Sequence, residues 1–370
     1  MQDRFADGFA GDGAGVDGGS ADYFQFFNER GSFSKLRRLD CGALPTGSGT
    51  HDDKIVLFHS ARREYITVTI GESVLTGAAR SAMILKICFV AGLREEVWEK
   101  TIGLRVSILA SGSSGNITLL ETERTRLLVD CGLGKRETLA RLAAAGRTVE
   151  RLDGILITHE HTDHCNGLPQ MLGLWKAPLY VTEPTMGAMQ RTLPETLGKR
   201  LNRVETIQPG QHFMIGDIDV HAFAIPHDAA DPIGFTFRSN GAKMAIVTDL
   251  GYMPELVKVH LRGANCLVLE SNHDLDMLKV GPYPWVVKQR VLSRTGHLSN
   301  HAVSEYLCDP DGFDAIARYL VLAHVSQENN NPDLVRLSAE EALNRRPAEC
   351  SFTGELLVAS QHVPLKSLEL

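Results

Sequence analysis

From Leu104 onward the sequence predicts an α+β domain, two β-sheets with helices on their outer faces. Three observations point there. Strand-like and helix-like segments alternate over this stretch and do not separate into blocks. Several strand candidates are short continuous apolar runs, the pattern of buried strands. Those runs end abruptly in His or Asp, which places polar chemistry at the strand ends.

Each element follows in order. Gly103 to Leu109 reads as the first strand. Ile117 to Glu121 and Arg126 to Asp130 read as a strand pair, and Arg136 to Ala145 as an Ala/Leu-rich helix stopped by Gly146. Leu152 to Ile157 is a buried strand, Leu168 to Trp175 a helix, and Pro178 to Thr182 a short strand. Phe213 to Ala224 alternates like a strand with one open face. Phe235 to Phe237 and Lys243 to Thr248 flank Asn240-Gly241, a strong hairpin signal. Cys266 to Glu270 and Tyr319 to Ala323 are two further apolar strands.

The chain has 370 residues, 43% hydrophobic and 22% charged, a composition ordinary for a globular enzyme. A net charge of −7 argues against nucleic-acid binding through bulk charge, though not against a local basic patch. Seven scattered Cys without a CxxC pair fit a reduced, cytoplasmic protein. Ala82 to Leu93, interrupted by Lys86, is too short to span a bilayer and too far from Met1 for a secretion signal. Residues 7 to 20 are rich in Gly, Ala and Asp. Residues 21 to 80 hold only short strand candidates, Lys54 to Phe58 and Tyr65 to Ile70.

The chemistry concentrates in His159-Glu160-His161-Thr162-Asp163-His164, directly after Ile155-Leu156-Ile157. Imidazole and carboxylate donors suit Zn, Mn or Fe. One tetrahedral ion uses four ligands, and further donors follow, so a two-metal hydrolytic site is the sharper expectation. Those donors are His227 after Ala224-Ile225-Pro226, Asp249 after Ala245 to Thr248, and His324 after Tyr319 to Ala323. Asp249, shortly before Gly251, reads either as a turn residue or as a carboxylate that could bridge two ions, since each oxygen can bind one. Gly296-His297-Leu298-Ser299-Asn300 opens a helix, whose N-terminus favours anions, and Ser299 and Asn300 are equally good caps. Ser111 to Asn116 reads as a tight turn or a substrate loop. His212, His221, His260, His273, His301 and His362 lack comparable context.

With these residues the sequence resembles the metallo-β-lactamase superfamily, from about Arg105 to about Gln361. The stretches Leu109 to Asn116, Leu269 to Asp274, Thr295 to Asn300 and His324 to Asn330 most resemble the YycJ/WalJ-like exonuclease branch. The resemblance implies an αββα sandwich over residues 103–370. Residues 1–102 would then be an N-terminal extension, loosely ordered or foreign to the domain. It also implies ligand sets: His159, His161 and His227 for one ion, Asp163, His164 and His324 for a second, and Asp249 between them. A shared hydroxide would be the nucleophile, which Asp163 could also orient.

Three features favour phosphodiesters. Lys288, Arg290 and Arg294 form a basic stretch before His297. His297 resembles a histidine near the leaving group of related tRNA-processing nucleases, fit to donate a proton. And Asp249 stands where the β-lactamases themselves carry Cys. Arg294, Ser299 and Asn300 are the candidate substrate contacts, and Glu270 a partner for a metal-binding His. The expected function is a dinuclear phosphodiesterase, a 5′-to-3′ DNA exonuclease, with RNA as a second candidate substrate and no membrane partner. Hydrolysis of small phosphodiesters or thioesters is the alternative enzyme, and a non-catalytic metal or redox sensor the alternative class.

Overall fold

The structure is a computed structural model. It describes residues 103–370 apart from 194 and 195, together with the backbone of four short strands nearer the N-terminus. The expectations for residues 1–102 otherwise lie outside the described residues. Residues 1–99 and 100–370 form two separate compact units. In the first, β1 (Phe24–Phe27) pairs antiparallel with β2 (Phe33–Leu36), and β3 (Val56–His59) with β4 (Ile66–Thr69). The second pair overlaps the two strand candidates read from that region.

The second unit is built on two seven-stranded mixed sheets. The first contains β5 (Arg105–Ala110), β6 (Ile117–Glu121), β7 (Arg126–Val129), β8 (Gly154–Leu156), β9 (Leu179–Thr182), β10 (Val204–Ile207) and, far along the chain, β18 (Leu368–Glu369). Its order is β10-β9-β8-β7-β6-β5-β18. The second contains β11 (His212–Ile215), β12 (Ile218–Ala224), β13 (Ile233–Ser239), β14 (Ala242–Val247), β15 (Cys266–Glu270), β16 (Tyr319–Ala323) and β17 (Glu355–Val358), in sequence order. In each sheet one half is antiparallel and the other parallel. The direction switches at β7 in the first and at β14 in the second.

Packing explains the apolar runs. One core cluster lies between the sheets and joins Val106, Leu120 and Val129 to Val220, Phe235 and Ile246. A second packs Val257, Leu261, Val303 and Leu307 onto Ala245, Leu267 and Leu320. The third packs Leu142, Leu168 and Met171 onto Leu119, Leu128 and Ile155. Alternate residues of β14 thus face the other sheet and a helix layer, so both must be apolar. Four layers result, helix, sheet, sheet, helix, as expected.

Two readings need correction. Phe213 to Ala224 is not one strand but a hairpin, β11 and β12, folded at Gly216-Asp217 with Ile215 opposite Ile218. A two-residue turn leaves the alternation in phase, so the sequence pattern runs through it unbroken. The short strands β17 and β18 gave no signal. Asn240-Gly241 does form its hairpin, with φ of 47° and 82°. No helix among the described residues is long and apolar enough to cross a membrane.

Candidate metal centre

The centre is assembled where strands of both sheets end. After β7 the chain turns at Asp130, a non-glycine residue at φ 61°. After β8 it runs through Ile157 and Thr158 to His159, and the short helix Thr162–Cys165 then sets Asp163 and His164. Backbone hydrogen bonds clamp this turn: Cys131 N donates to His164 O at 2.7 Å, and Asn116 N to Asp163 O at 2.7 Å. Gly132 lies so close that a Cβ there would sit 1.8 Å from the Asp163 carbonyl oxygen. From the second sheet come His227 beyond β12, Asp249 beyond β14 at φ 61°, and His324 directly after β16 at φ 54°.

The seven expected donors form two groups, His159 with His161 and His227, and Asp163 with His164, Asp249 and His324, and a third group joins Asp249 and His324 to Glu270 and His297. In each group the candidate donor atoms lie within 4.8 Å of one another. His227 Nε2 is 3.2 Å from His161 Nδ1. Asp249 reaches both of the first two groups, with Oδ2 3.1 Å from His164 Nε2 and Oδ1 3.8 Å from His227 Nε2.

The outer nitrogens are already committed. His164 Nδ1 meets Asp130 Oδ2 at 2.8 Å, His227 Nδ1 meets the Gly296 carbonyl at 3.0 Å, and His324 Nδ1 meets Glu270 Oε1 at 2.8 Å. Each contact requires Nδ1–H as donor, so each Nε2 presents a lone pair inward. His159 Nδ1 packs 3.0 Å from Thr158 Oγ1, which also bonds Asp130. Its Nε2, like Asp249 Oδ2, is buried without a hydrogen-bond partner. Lone pairs converging on one another in a buried space repel, and a cation removes that penalty. The donor set therefore fits divalent ions.

Electrostatics agrees. Burial raises the Asp249 carboxyl, but His324 and His164 outweigh it and hold Asp249 well below the usual range. Burial likewise raises Asp163, and His164 outweighs it. Conversely, burial lowers His164, and the carboxylates of Asp249, Asp163 and Asp130 outweigh it and raise it above its ordinary value, a pull on positive charge that a cation at Nε2 would also answer. The second group thus favours positive charge. His159, held down by burial and then by His164, stays in the neutral form that binds metals.

Glu270 is fully buried and accepts four hydrogen bonds. His297 Nδ1 at 2.9 Å and His324 Nδ1 at 2.8 Å meet Oε1, and Leu250 N and Leu298 N, each at 2.9 Å, meet Oε2. Burial lowers the His297 imidazole, but Glu270 raises it above its ordinary value. The His297 side chain is 15% exposed, and its Nδ1 also lies 3.7 Å from Asp249 Oδ1.

The expected substrate contacts divide. Arg294 is exposed, with its guanidinium carbon 4.0 Å from the Tyr252 ring centroid. Ser299 and Asn300 are turned inward. Ser299 Oγ accepts from Ala302 N at 3.1 Å as a helix cap, and Asn300 Oδ1 accepts from Ser271 Oγ at 2.8 Å and from Asn330 Nδ2 at 2.9 Å. Helix capping thus engages Ser299, bonds to Ser271 and Asn330 engage Asn300, and both residues are buried. Cys165 is buried and bonds the Glu160 carbonyl.

Sequence reasoning missed Asp130, Thr158 and Asn116. Asn116 Nδ2 donates to Asp163 Oδ2 at 3.1 Å and lies 3.0 Å from His164 Nε2. The signal for Asp130 was present, an apolar strand ending in Asp as at Asp249. It was absorbed into the strand.

A model of the β-lactamase superfamily domain matches residues 125–325. Exodeoxyribonuclease YycJ of Bacillus anthracis is 37% identical over 245 residues, 66% of this chain and 91% of the relative. Exodeoxyribonuclease WalJ of Streptococcus pneumoniae is 37% identical over 249 residues, 64% of this chain and 87% of the relative. Among solved structures, the metallo-β-lactamase fold protein YhfI of Bacillus subtilis superposes with a TM-score of 0.52 at 17% identity, covering 71% of this chain and 99% of that one. That likeness speaks to the fold alone. With the strand-end donors in place and relatives matched over nearly their whole length, the chain belongs to the metallo-β-lactamase superfamily, on its YycJ/WalJ-like branch, and is a metal-dependent hydrolase.

Proposed function

We propose that the protein is a dinuclear phosphodiesterase that degrades DNA from the 5′ end. His159, His161 and His227 would hold one divalent ion, Asp163, His164 and His324 the other, and Asp249 would be shared between them. Zn and Mn suit these donors, and Fe is a third candidate. Bound there, such ions lower the pKa of water toward neutrality and offset charge building on a phosphate. The observation that carries this reading is Asp249, whose carboxylate lies near the donors of both groups. The exodeoxyribonuclease names of the relatives support DNA as substrate.

The chain's own residues divide the remaining work. Asp130 and Glu270 fix the tautomers of His164 and His324. Glu270 also holds a proton on His297, whose free ring edge is placed to protonate the departing oxygen. His297→Ala should keep its metal content yet lose roughly 10²–10⁴-fold in DNA turnover, the usual range for a general acid. The loss should shrink on a nitrophenyl phosphodiester, whose leaving group departs without help. Loss of metal in this variant would instead make His297 a ligand.

The reading is tested by supplying 5′-labelled single- and double-stranded DNA with Mn or Zn, beside RNA and a nitrophenyl phosphodiester. Mononucleotides released from the labelled end are expected. Turnover of the small ester alone would sink the nuclease assignment.

We also propose that residues 103–370 suffice for folding and activity. In support, the C-terminus closes onto the start of this stretch, with Gly103 N donating to Leu370 O at 3.1 Å and Leu370 N to Leu104 O at 2.9 Å. A protein beginning at Gly103 should stay soluble and active, and an inactive one would make the preceding residues part of the working unit.

A further inference from the structure

The helix Trp285–Val291 lies beside the centre and carries side chains that the ligand set does not explain. Trp285 is 66% exposed and Val286 75% exposed. An uncovered indole next to an uncovered aliphatic chain usually marks a contact surface. The helix is fixed to the rim of the centre at its other end. Arg290 forms a two-point ion pair with Asp228, the neighbour of His227. Asp228 N donates to Thr295 O at 3.0 Å. Gly251 packs so tightly that a Cβ there would lie 2.2 Å from Arg294 O.

Cations and an aromatic ring continue the surface toward the centre. Arg290 and Arg294 are exposed, and Arg294 rests over Tyr252. Lys288 Nζ donates to Lys279 O at 2.7 Å, which ties this helix to the preceding one. The chain as a whole is acidic, with a net charge of −7, so this basic stretch runs against its background. Trp285 and Arg290 are five residues apart, about 7.5 Å along the helix axis. That is the span of roughly two stacked nucleotides. Val286 and Arg290 are an i, i+4 pair on one side of the helix, and Trp285 stands beside Val286 at its start.

We propose that this surface is a platform for single-stranded nucleic acid: a base one or two nucleotides from the cut stacks on Trp285, and Arg294 holds an intervening phosphate. Exposed aromatic rings interleaved with cations recognise unpaired strands, because only an unpaired base offers its face for stacking. A protein partner would use the apolar side chains but has no need of the exposed Arg294 guanidinium. The proposal deepens the nuclease reading by naming its substrate as a strand with unpaired bases at the site.

The test uses the full-length, metal-loaded protein and three forms of it: wild type, Trp285→Ala and Trp285→Phe. Fluorescence anisotropy reads binding of a labelled oligothymidylate of about ten nucleotides, within ordinary single-strand site sizes. Trp285→Ala should bind roughly tenfold more weakly, as loss of one stacked base predicts, and Trp285→Phe close to wild type. Turnover of a nitrophenyl phosphodiester should be equal in all three, since that substrate is too short to reach the indole. Arg294→Gln should reduce the salt dependence of oligonucleotide binding by roughly one phosphate contact.

Equal binding by wild type and Trp285→Ala overturns the platform, as does a matching loss on the small ester. No oligonucleotide binding by wild type overturns it too. A change of oligomeric state in Trp285→Ala with unchanged DNA binding would make the face a protein interface. DNA cleavage without dependence on Trp285 leaves the nuclease reading standing and removes the platform. Trp285-dependent binding without cleavage does the reverse.

Discussion

The first sheet supplies four donors from one turn of chain, whereas the second supplies three from three separate strand ends. His159, His161, Asp163 and His164 are positioned by a few local hydrogen bonds and the close approach of Gly132. His227, Asp249 and His324 meet them only because the two sheets are docked through the shared core. Each half has its own buried carboxylate behind the donors, Asp130 in the first and Glu270 in the second. Local geometry thus builds one half of the centre, and tertiary packing builds the other.

Breaking the comparison at its midpoint should give the largest effect. Asp249 approaches donors of both halves, so Asp249→Ala should deplete bound metal and reduce turnover by at least about a thousandfold, consistent with several kcal/mol of metal-ion stabilisation. Metal analysis of the purified variant together with its DNA turnover checks this, and full activity would refute the two-metal assignment.

The supporting carboxylates sharpen the comparison at intermediate size. Asp130→Asn and Glu270→Gln should each lose roughly 10–100-fold in metal affinity or activity, the usual effect of removing a ligand's orienting partner. They should differ in kind. Asp130 touches His164 and Thr158, so its loss should fall on metal affinity. Glu270 also holds His297, so its loss should be worse on DNA than on a nitrophenyl ester. Identical profiles for the two variants would count against separate roles.

Histidines outside the centre give the smallest effect. His212 and His221, paired across β11 and β12, stack at 3.9 Å, and His260 lies 4.7 Å from His221. Burial, then His212 and His260, push His221 down from 6.5 to about 4. The fold therefore favours its neutral form. That contribution is present above pH 6.5 and is lost as the pH falls toward 4. Urea midpoints of the wild type should fall across this window, and those of His221→Gln should fall less. Parallel curves would show that the stack does not titrate in folding.

The same division governs what could be read from the sequence. The HxHxDH turn was legible because a local motif needs no knowledge of packing. His227 follows a strand with one open face and was legible from its place between the motif and Asp249, whereas Asp249 and His324 were legible because a strand buried on both faces must be apolar, so a polar residue at its end stands out. Glu270 was found for the same reason. Asp130 was not, since it was read as the last residue of the strand Arg126 to Asp130. Ser299 and Asn300 were assigned to substrate, but capping the helix Asn300–Cys308 and bonding Ser271 and Asn330 engage them first. The β11–β12 fold was hidden because a tight turn preserves alternation.

Asp130, Asp249 and His324 all occupy the left-handed region of backbone space. Such a conformation costs a non-glycine residue on the order of 1–3 kcal/mol. Glycine would relieve it at each position and remove a group the centre uses. A library of variants sorted only for thermal resistance should therefore enrich glycine at these positions, and every such winner should be a poor enzyme. Selection for durability and selection for turnover pull in opposite directions at the same three bends of the chain.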